Sequence, residues 1–359
     1  MGLDISDVSL KLVQFEKHPG GLAIQAYSEM EMPKEVISGD VIKNPKLLVE
    51  LIKKAIARPR FGKITTKYAV ASIPETKSFV RVIQMPVVSE EEAREAVPWE
   101  AEAYIPMPMG QVYLDWMILK SSAQPAPGTS DSPKMTVLIT AAPRDYVDDF
   151  TAILKEAGLS PLALEVESQA TARSLVSNPS ETVMICDIDT VRTSLIIYER
   201  ETLQFTSSIP IAGNVFTESI ARALGVDSAK AEQIKREFGL DESHENGTAR
   251  KAMVPVINNL VTEIKNTIRF YEEHGGPDAK ISRLLLSGGS GKLKHLPSFL
   301  LQQLNKADES HSFRSLPGIK VELGNPWVKV LGIKQVPPLS REDSLSFSTA
   351  IGLALRDEE

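Results

Sequence analysis

The sequence has little of what several classes of protein require. Its 359 residues include a single cysteine, Cys186, which cannot form an internal disulfide and whose apolar neighbours indicate a buried thiol in a reducing compartment. The five histidines show no spacing typical of a metal site. No apolar run approaches the roughly 20 residues that span a bilayer, and no signal peptide is recognisable. These absences predict a cytoplasmic protein that contacts membranes only through a partner.

Positive charge is also in short supply. The 40 Lys and Arg residues are outnumbered by 47 Asp and Glu residues, and the formal net charge is -7. A general nucleic-acid-binding protein needs clustered basic residues to neutralise phosphates, and the sequence shows no such cluster. We therefore expect no nucleic-acid partner. At roughly 150 residues per domain, the length predicts two or three domains or one bilobed unit.

What the sequence does contain is a weak internal repeat. A strand ending in Asp4-Ile5 leads through a short polar turn into a second apolar strand, and the same order recurs at Asp187-Ile188. In each half a third strand and a helix follow, the helices near residues 44–57 and 214–224. Two related halves predict a pseudo-symmetric bilobed α/β protein with a ligand-binding cleft between the lobes.

The residues at the strand ends favour phosphate and metal chemistry in that cleft. A carboxylate such as Asp4 or Asp187 can hold hydrated Mg²⁺ while the N–H groups of the adjacent turn face phosphate oxygens. The structural alternative is an aspartate that only caps its own turn, which either hairpin alone would favour. A buried strand followed by Gly288 and Gly289 adds backbone that can approach a ligand closely. Its glycine spacing matches neither a Walker A loop nor a nucleophile elbow.

The hydrophobic pattern of residues 78–158 differs from that of the two repeated halves and predicts an inserted subdomain of order β-α-β-β-α. A capping box at Ser89 opens its first helix, and residues 121–134 form a surface loop rich in Ser, Pro, Ala and Gly. Four of its aromatic residues can line a partner site, although such residues more often form the core. They are Trp99, Tyr104, Tyr113 and Trp116.

Several short motifs stand in a specific order along the chain. They are Gly-Leu-Asp-Ile at 2–5, Trp-Glu-Ala-Glu-Ala-Tyr-Ile-Pro at 99–106, Ala-Ala-Pro-Arg at 141–144, Val-Glu-Ser at 166–168, Ile-Pro-Ile-Ala-Gly-Asn at 209–214 and Ser-Gly-Gly at 287–289. With these motifs the sequence resembles the PilM family of type IV pilus assembly proteins over nearly its whole length. The resemblance implies a bilobed actin-like (ribonuclease H-like) α/β fold, in which the insert replaces the usual second subdomain as in the division protein FtsA.

The resemblance also implies a division of the chain and a set of site residues. Lobe 1 would comprise 1–77, 159–182 and a C-terminal helix at 346–359; the insert would comprise 78–158, and lobe 2 would comprise 183–345. ATP with Mg²⁺ would bind in the cleft, with Glu167 a candidate for positioning water unless it is a surface glutamate in a salt bridge. The nucleotide-site positions are Asp4 and Asp187 facing the metal through water, Ser9, Lys11 and Thr193 in the phosphate loops, Glu232 and Lys235 near the nucleoside, and Gly288 and Gly289 in the adenosine loop.

The sequence departs from the family pattern in both phosphate hairpins. Where the family has glycine after Asp-Ile, this chain has Ser6 and Asp189, and Asp7 adds another acid. Glycine leaves the backbone open to phosphate, whereas a carboxylate at ~4 Å from a phosphate costs about 1 kcal/mol even when screened. Arg192, close by, can neutralise Asp189 or bind phosphate itself. These departures predict weakened ATP binding and at most weak ATPase activity.

The resemblance implies a scaffold role at the inner face of the inner membrane. The protein would bind the N-terminal cytoplasmic tail of a PilN-like membrane protein and join the platform of the pilus motor. The alternatives are an active ATPase switch of pilus assembly and an FtsA-like division protein. The second alternative expects a basic amphipathic helix at the end of the chain, whereas residues 356–359 are mostly acidic, so we expect no direct membrane insertion.

Overall fold

The structure, a computed structural model, describes residues 1–121, 134–178, 180–274, 279–306, 318–330 and 337–356. Most of the predicted surface loop at 121–134 and the end of the predicted helix at 346–359 lie outside the described residues. The strands are Gly2–Ile5 (β1), Ser9–His18 (β2), Gly21–Glu31 (β3), Ile37–Ser38 (β4), Val41–Ile42 (β5), Phe61–Gly62 (β6), Tyr68–Ile73 (β7), Phe79–Pro86 (β8), Val112–Ser121 (β9), Lys134–Pro143 (β10), Ser160–Val166 (β11), Val183–Ile188 (β12), Thr193–Glu199 (β13), Thr202–Ile209 (β14), Arg283–Ser287 (β15) and Lys320–Leu323 (β16).

The helices confirm the helical periodicity that the sequence shows in both halves. They are Pro45–Ala57 (α1), Glu90–Glu102 (α2), Arg144–Glu156 (α3), Glu167–Leu175 (α4), Gly213–Leu224 (α5), Ser228–Phe238 (α6), Thr248–His274 (α7), Leu296–Leu304 (α8), Arg341–Ser344 (α9) and Ser348–Ala354 (α10). Helix α1 begins after Asn44, whose side chain accepts the N–H of Leu47 and so satisfies one of the free donors at the helix start. No helix in the described ranges is long and apolar enough to cross a bilayer.

The two main sheets share one topology, which confirms the internal repeat. The first sheet has the order β11-β7-β1-β2-β3-β6 and the second the order β16-β15-β12-β13-β14. Strand β1 pairs antiparallel with β2 and parallel with β7, just as β12 pairs antiparallel with β13 and parallel with β15. We call the first sheet with α1 and α3 lobe 1, and the second sheet with α5 to α8 lobe 2.

The inserted segment has the predicted order β8-α2-β9-β10-α3, but its last helix packs elsewhere. Strands β8, β10 and β9 form a three-stranded antiparallel sheet covered by α2. Helix α3 instead buries Phe150, Ile153 and Leu154 in the core of lobe 1, against Leu3 and Leu48. Helix α3 therefore packs with lobe 1, because its apolar stripe covers apolar side chains of the first sheet and α1.

Helices α4 and α10 join the lobes beneath the cleft. Helix α4 places Ala172 and Leu175 in a core shared with the second sheet, while Ala170 packs with Leu353 of α10 and Val70 of the first sheet. The backbones of α4 and α10 approach so closely that a Cβ on Gly352 would lie 1.7 Å from the carbonyl oxygen of Ala170. This junction fixes the positions of the β1–β2 and β12–β13 hairpins relative to each other.

Candidate functional site

The turns of the two β-hairpins have the same backbone geometry. In the first turn the N–H of Ser6 donates to the carbonyl of Ser9 at 2.9 Å, and in the second the N–H of Asp189 donates to the carbonyl of Arg192 at 3.1 Å. The repeat therefore pairs Ser6 with Asp189, the two residues that stand in place of glycine. Asp4 and Asp187 lie two residues earlier, at equivalent positions in β1 and β12. They are 8% and 9% exposed.

Each of these acids has a serine beside it on the neighbouring parallel strand, which the sequence analysis missed. The hydroxyl of Ser72 in β7 donates to Asp4 Oδ1 at 2.9 Å. Ser287 in β15 lies directly opposite Asp187, and its hydroxyl opposes the rise in the pKa of that acid. The available signal was a serine at or near the end of the strand that follows the helical part of each half, and using it requires knowing that this strand pairs with the first strand of the repeat.

Both acids have a raised pKa, chiefly because they are buried. Burial raises the pKa of Asp4, and Lys11 partly opposes this effect. Burial raises the pKa of Asp187 well above its usual range, with Asp189 and Asp4 adding to the effect. Asp189 in turn raises the pKa of Asp4, so acids of one lobe act on those of the other, which places the two hairpins close together. A cation between them would relieve this repulsion.

The donor set fits a hydrated divalent cation rather than a directly coordinated one. Hard cations such as Mg²⁺ prefer carboxylate oxygens and usually keep several waters. Asp4 and Asp187 supply two buried carboxylates, one from each lobe. Among the described residues there is no group of three acidic, histidine or cysteine side chains that could hold a metal ion.

Ser9 and Lys11 meet Asp4 in the first hairpin, whereas Thr193 is turned away from the cleft. The ammonium of Lys11, opposite Asp4 across the ladder, donates to Ser9 Oγ at 2.8 Å. Thr193 is fully buried, and its hydroxyl donates to the carbonyl of Ile211 in the loop before α5. Thr193 therefore positions that loop, and its place in the second phosphate loop stays a prediction.

The side-chain oxygens of Ser6 and Asp189 accept hydrogen bonds from backbone N–H groups. Ser6 Oγ accepts the N–H of Ser9 at 3.2 Å, and Asp189 Oδ1 accepts the N–H of Gly289 at 3.3 Å. Turn N–H groups of this kind are what a phosphate-binding loop offers to its ligand. In this chain Ser6 and Asp189 stand where the family has glycine. Their side chains already accept hydrogen bonds from some of these N–H groups.

Glu167 lies among the cleft acids at the N-terminus of α4. Burial raises the pKa of Glu167 well above its usual range, and Asp4, Glu75 and Asp40 raise it further. Its side chain keeps some contact with solvent, but its neighbours are carboxylates from both hairpins and the adjoining loops. The role of Glu167 in positioning water stays a prediction.

The two residues assigned near the nucleoside are held in a network at the start of α5. Lys235 forms a 2.7 Å ion pair with Glu232 and donates to the carbonyl of Gly213 and to Thr217 Oγ1, both at 2.9 Å. Burial alone would raise the pKa of Glu232, but hydrogen bonds from Lys235 and its other neighbours lower it to about 2. The pair is therefore ionised and fixes the α5–α6 wall of the site.

The glycine loop closes the lobe 2 side of the site. Gly288 has a φ of +80°, and a Cβ there would lie 2.5 Å from the carbonyl oxygen of Ile188 and 2.8 Å from Asp187 Oδ1. A side chain at Gly288 would thus displace the second acid. Gly289 has open space around its Cα, so the loop presents unobstructed backbone at that residue.

Comparison with known proteins gives both a family and a fold. The family model described as Type IV pilus assembly protein PilM matches residues 2–358. A solved structure described as the PilM-PilN type IV pilus biogenesis complex is similar over 100% of this chain and 98% of that chain, with 28% identity and a TM-score of 0.79.

More distant structures show the fold alone. The ethanolamine utilization protein EutJ from Carboxydothermus hydrogenoformans has 15% identity and a TM-score of 0.55, covering 99% of this chain and 88% of that one. MreB5 of Spiroplasma citri bound to AMPPNP has 13% identity and a TM-score of 0.50, covering 99% of this chain and 95% of that one. Together with the repeated sheets, these likenesses confirm the bilobed actin-like α/β fold.

Proposed function

Because this chain belongs to the PilM family of type IV pilus assembly proteins, we propose that it is an actin-like scaffold of the pilus assembly platform. It binds the N-terminal cytoplasmic tail of a PilN-like inner-membrane protein, which holds it in the cytoplasm against the inner membrane beside the pilus motor. The observation that carries this proposal is the full-length similarity to a PilM solved in complex with PilN.

The inserted sheet offers an edge suited to such a tail. Strand β9 is the outermost strand of the three-stranded sheet, and an extended peptide can add to a sheet edge through main-chain hydrogen bonds. Two large side chains on β9, Met117 and Tyr113, are 54% and 41% exposed. The Tyr113 ring is fixed by Asp148, which accepts its hydroxyl at 3.0 Å, and by the guanidinium of Arg144 at 4.3 Å. We place the tail on this edge.

The four aromatic residues predicted to line a partner site divide between core and surface. Trp116 and Tyr104 pack against the core beneath α2, as the more frequent alternative predicts. Tyr113 faces outward on β9, and Trp99 on α2 is 79% exposed on the other side of the sheet. Only Tyr113 therefore lies on the proposed docking edge.

Replacing Met117 by aspartate is expected to weaken binding of the tail at least tenfold, because a charge would be buried against apolar peptide side chains. The measurement is fluorescence anisotropy of a labelled synthetic peptide of a PilN-like tail titrated with the full-length protein. Trp99→Ser is the matched control, since it removes an exposed apolar side chain from the opposite face. A loss in Trp99→Ser with none in Met117→Asp would move the docking surface to α2.

We also propose that the cleft binds ATP with Mg²⁺, only weakly. Asp4 and Asp187 would hold the cation through water, Ser9 and Lys11 would contact phosphate, and the Gly288-Gly289 loop would face the nucleoside. When bound, Mg²⁺ supplies the positive charge that this acidic cleft lacks. The oxygens of Ser6 and Asp189 compete with phosphate for backbone donors, which supports weak binding and at most slow hydrolysis.

Calorimetric titration with Mg-ATP tests this part of the proposal. Asp189→Gly is expected to bind roughly tenfold more tightly than the wild type, because it removes a like charge worth about 1 kcal/mol and frees the Gly289 N–H. Asp187→Ala is expected to bind no measurable nucleotide. If neither the wild type nor Asp189→Gly releases heat at millimolar Mg-ATP, nucleotide binding is excluded and the scaffold role remains.

A further inference from the structure

We propose that Arg192 is a phosphate-responsive latch between the lobes, for which Asp40 of lobe 1 and the phosphates of a nucleotide compete. In the structure Arg192 Nη2 lies 2.7 Å from Asp40 Oδ2. Arg192 belongs to the second hairpin and Asp40 to the turn between β4 and β5. This ion pair therefore crosses the cleft at the level of the phosphate hairpins. The phosphate half of the inference rests on the nucleotide site proposed above.

The Asp40 side of the latch is held rigidly. Gly39 and Asp40 form a tight turn in which both residues have positive φ, +61° and +57°. The carboxylate of Asp7 accepts the N–H groups of both turn residues at 3.0 Å. Asp40 is buried, and its carboxylate also accepts the hydroxyl of Thr76. A carboxylate positioned in this way recruits a guanidinium without reorganising the loop.

These contacts link one phosphate hairpin to the other. Asp7, in the turn of the first hairpin, accepts hydrogen bonds from the Gly39-Asp40 turn. Asp40 then forms the ion pair with Arg192 of the second hairpin. By the internal repeat, Arg192 occupies the position of Ser9. Asp7 is an additional acid with no evident role in binding an anion. Its role in the latch is to support the turn that carries Asp40.

The charges of the cleft make Arg192 the group for which a nucleotide would compete. The facing side chains are mostly acids, from lobe 1, lobe 2 and α4: Asp4, Asp187, Asp189 and Glu167. Lys11 already donates to Ser9. Arg192 meets Asp40 through Nη2, and a phosphate that binds the guanidinium through two parallel N–H bonds including Nη2 would displace the carboxylate. Phosphate entry would therefore loosen the contact between the lobes.

A double-mutant cycle tests the competition. Mg-ATP is titrated calorimetrically into the full-length wild type, Asp40→Asn, Arg192→Ala and the double variant. Asp40→Asn is expected to bind about five- to tenfold more tightly, and Arg192→Ala several-fold more weakly. In the double variant the gain from Asp40→Asn should vanish, because it acts only through Arg192. Glu29→Gln, which breaks the 2.6 Å ion pair with Arg60 on lobe 1, is the matched control and should change nothing.

The outcomes separate the latch from the nucleotide site. If the wild type binds Mg-ATP but Asp40→Asn binds it equally well, or keeps its gain in the absence of Arg192, the competition is overturned and the site survives. If no variant binds Mg-ATP, the phosphate half falls together with the site. Hydrogen exchange then tests the Arg192–Asp40 contact without nucleotide. Faster exchange at the Gly39 and Asp40 amides in Arg192→Ala supports a latch between the lobes. Unchanged exchange rates overturn it.

Discussion

Replacing Glu165 by glutamine is expected to lower the free energy of unfolding by about 3–5 kcal/mol, since it leaves a buried arginine without its counter-charge. Glu165 and Arg173 are both buried, with Arg173 Nη1 donating to Glu165 Oε2 at 3.0 Å. The same Nη1 donates to the carbonyl of Gly352 at 3.0 Å, and Arg356 approaches Glu165 at 3.2 Å. The ion pair thus fastens α10 to the end of β11 and to α4. Urea unfolding followed by circular dichroism measures the loss.

The matched control is an exposed acid paired with an arginine. Glu322 lies 2.7 Å from Arg283, and its side chain is 45% exposed. Glu322→Gln is expected to cost less than about 1 kcal/mol, because solvent screens the pair and Arg283 keeps its contact with Glu181. Equal losses in Glu165→Gln and Glu322→Gln would contradict the view that burial gives the Glu165 pair its importance.

Gly352→Ala is expected to prevent α10 from packing on α4. The added methyl group would lie 1.7 Å from the carbonyl oxygen of Ala170 and 2.4 Å from its carbonyl carbon, so two helix backbones would have to separate. Overpacking a core usually costs about 1–3 kcal/mol, and a clash with the backbone of Ala170, which cannot move like a side chain, should exceed that range or abolish folding. Soluble yield and the midpoint of thermal unfolding report the effect.

Gly110 provides the comparison for this substitution. A Cβ on Gly110 meets nothing within 4 Å, so Gly110→Ala should leave the midpoint nearly unchanged. If Gly352→Ala unfolds at the same temperature as Gly110→Ala, the close contact between α10 and α4 is wrong. Because this junction sets the distance between the phosphate hairpins, a Gly352→Ala protein that still folds is expected to lose nucleotide binding as well.

Some of the candidate site could be predicted from the sequence because it is built from local patterns. The two Asp-Ile hairpins, the helices after them and the Gly-Gly turn each depend on residues within about ten positions of one another. The repeat then predicts that Asp4 and Asp187 are equivalent, and the sheets bear this out. The departures at Ser6 and Asp189 were also visible, since a missing glycine is a local feature.

Other parts of the site depend on which distant segments pack together. Ser72 reaches Asp4 only because β7 pairs parallel with β1, and Asp40 meets Arg192 only because the β4–β5 turn projects across the cleft. Helix α3 looked like the end of the insert, yet its apolar stripe belongs to lobe 1. The contact of the Thr193 hydroxyl with the loop before α5 likewise joins segments that are apart in the sequence.

The sequence by itself determined the secondary structure of this protein, its repeat and the acids and glycines that mark its cleft, because periodicity, turn chemistry and strand ends act over short stretches of chain. Only the tertiary structure decided which side chains share the cleft and which groups of the protein they contact there. Buried polar groups must find partners, and the partners of Asp4, Arg192 and Glu165 come from strands and helices whose pairing is settled by the packing of the whole fold.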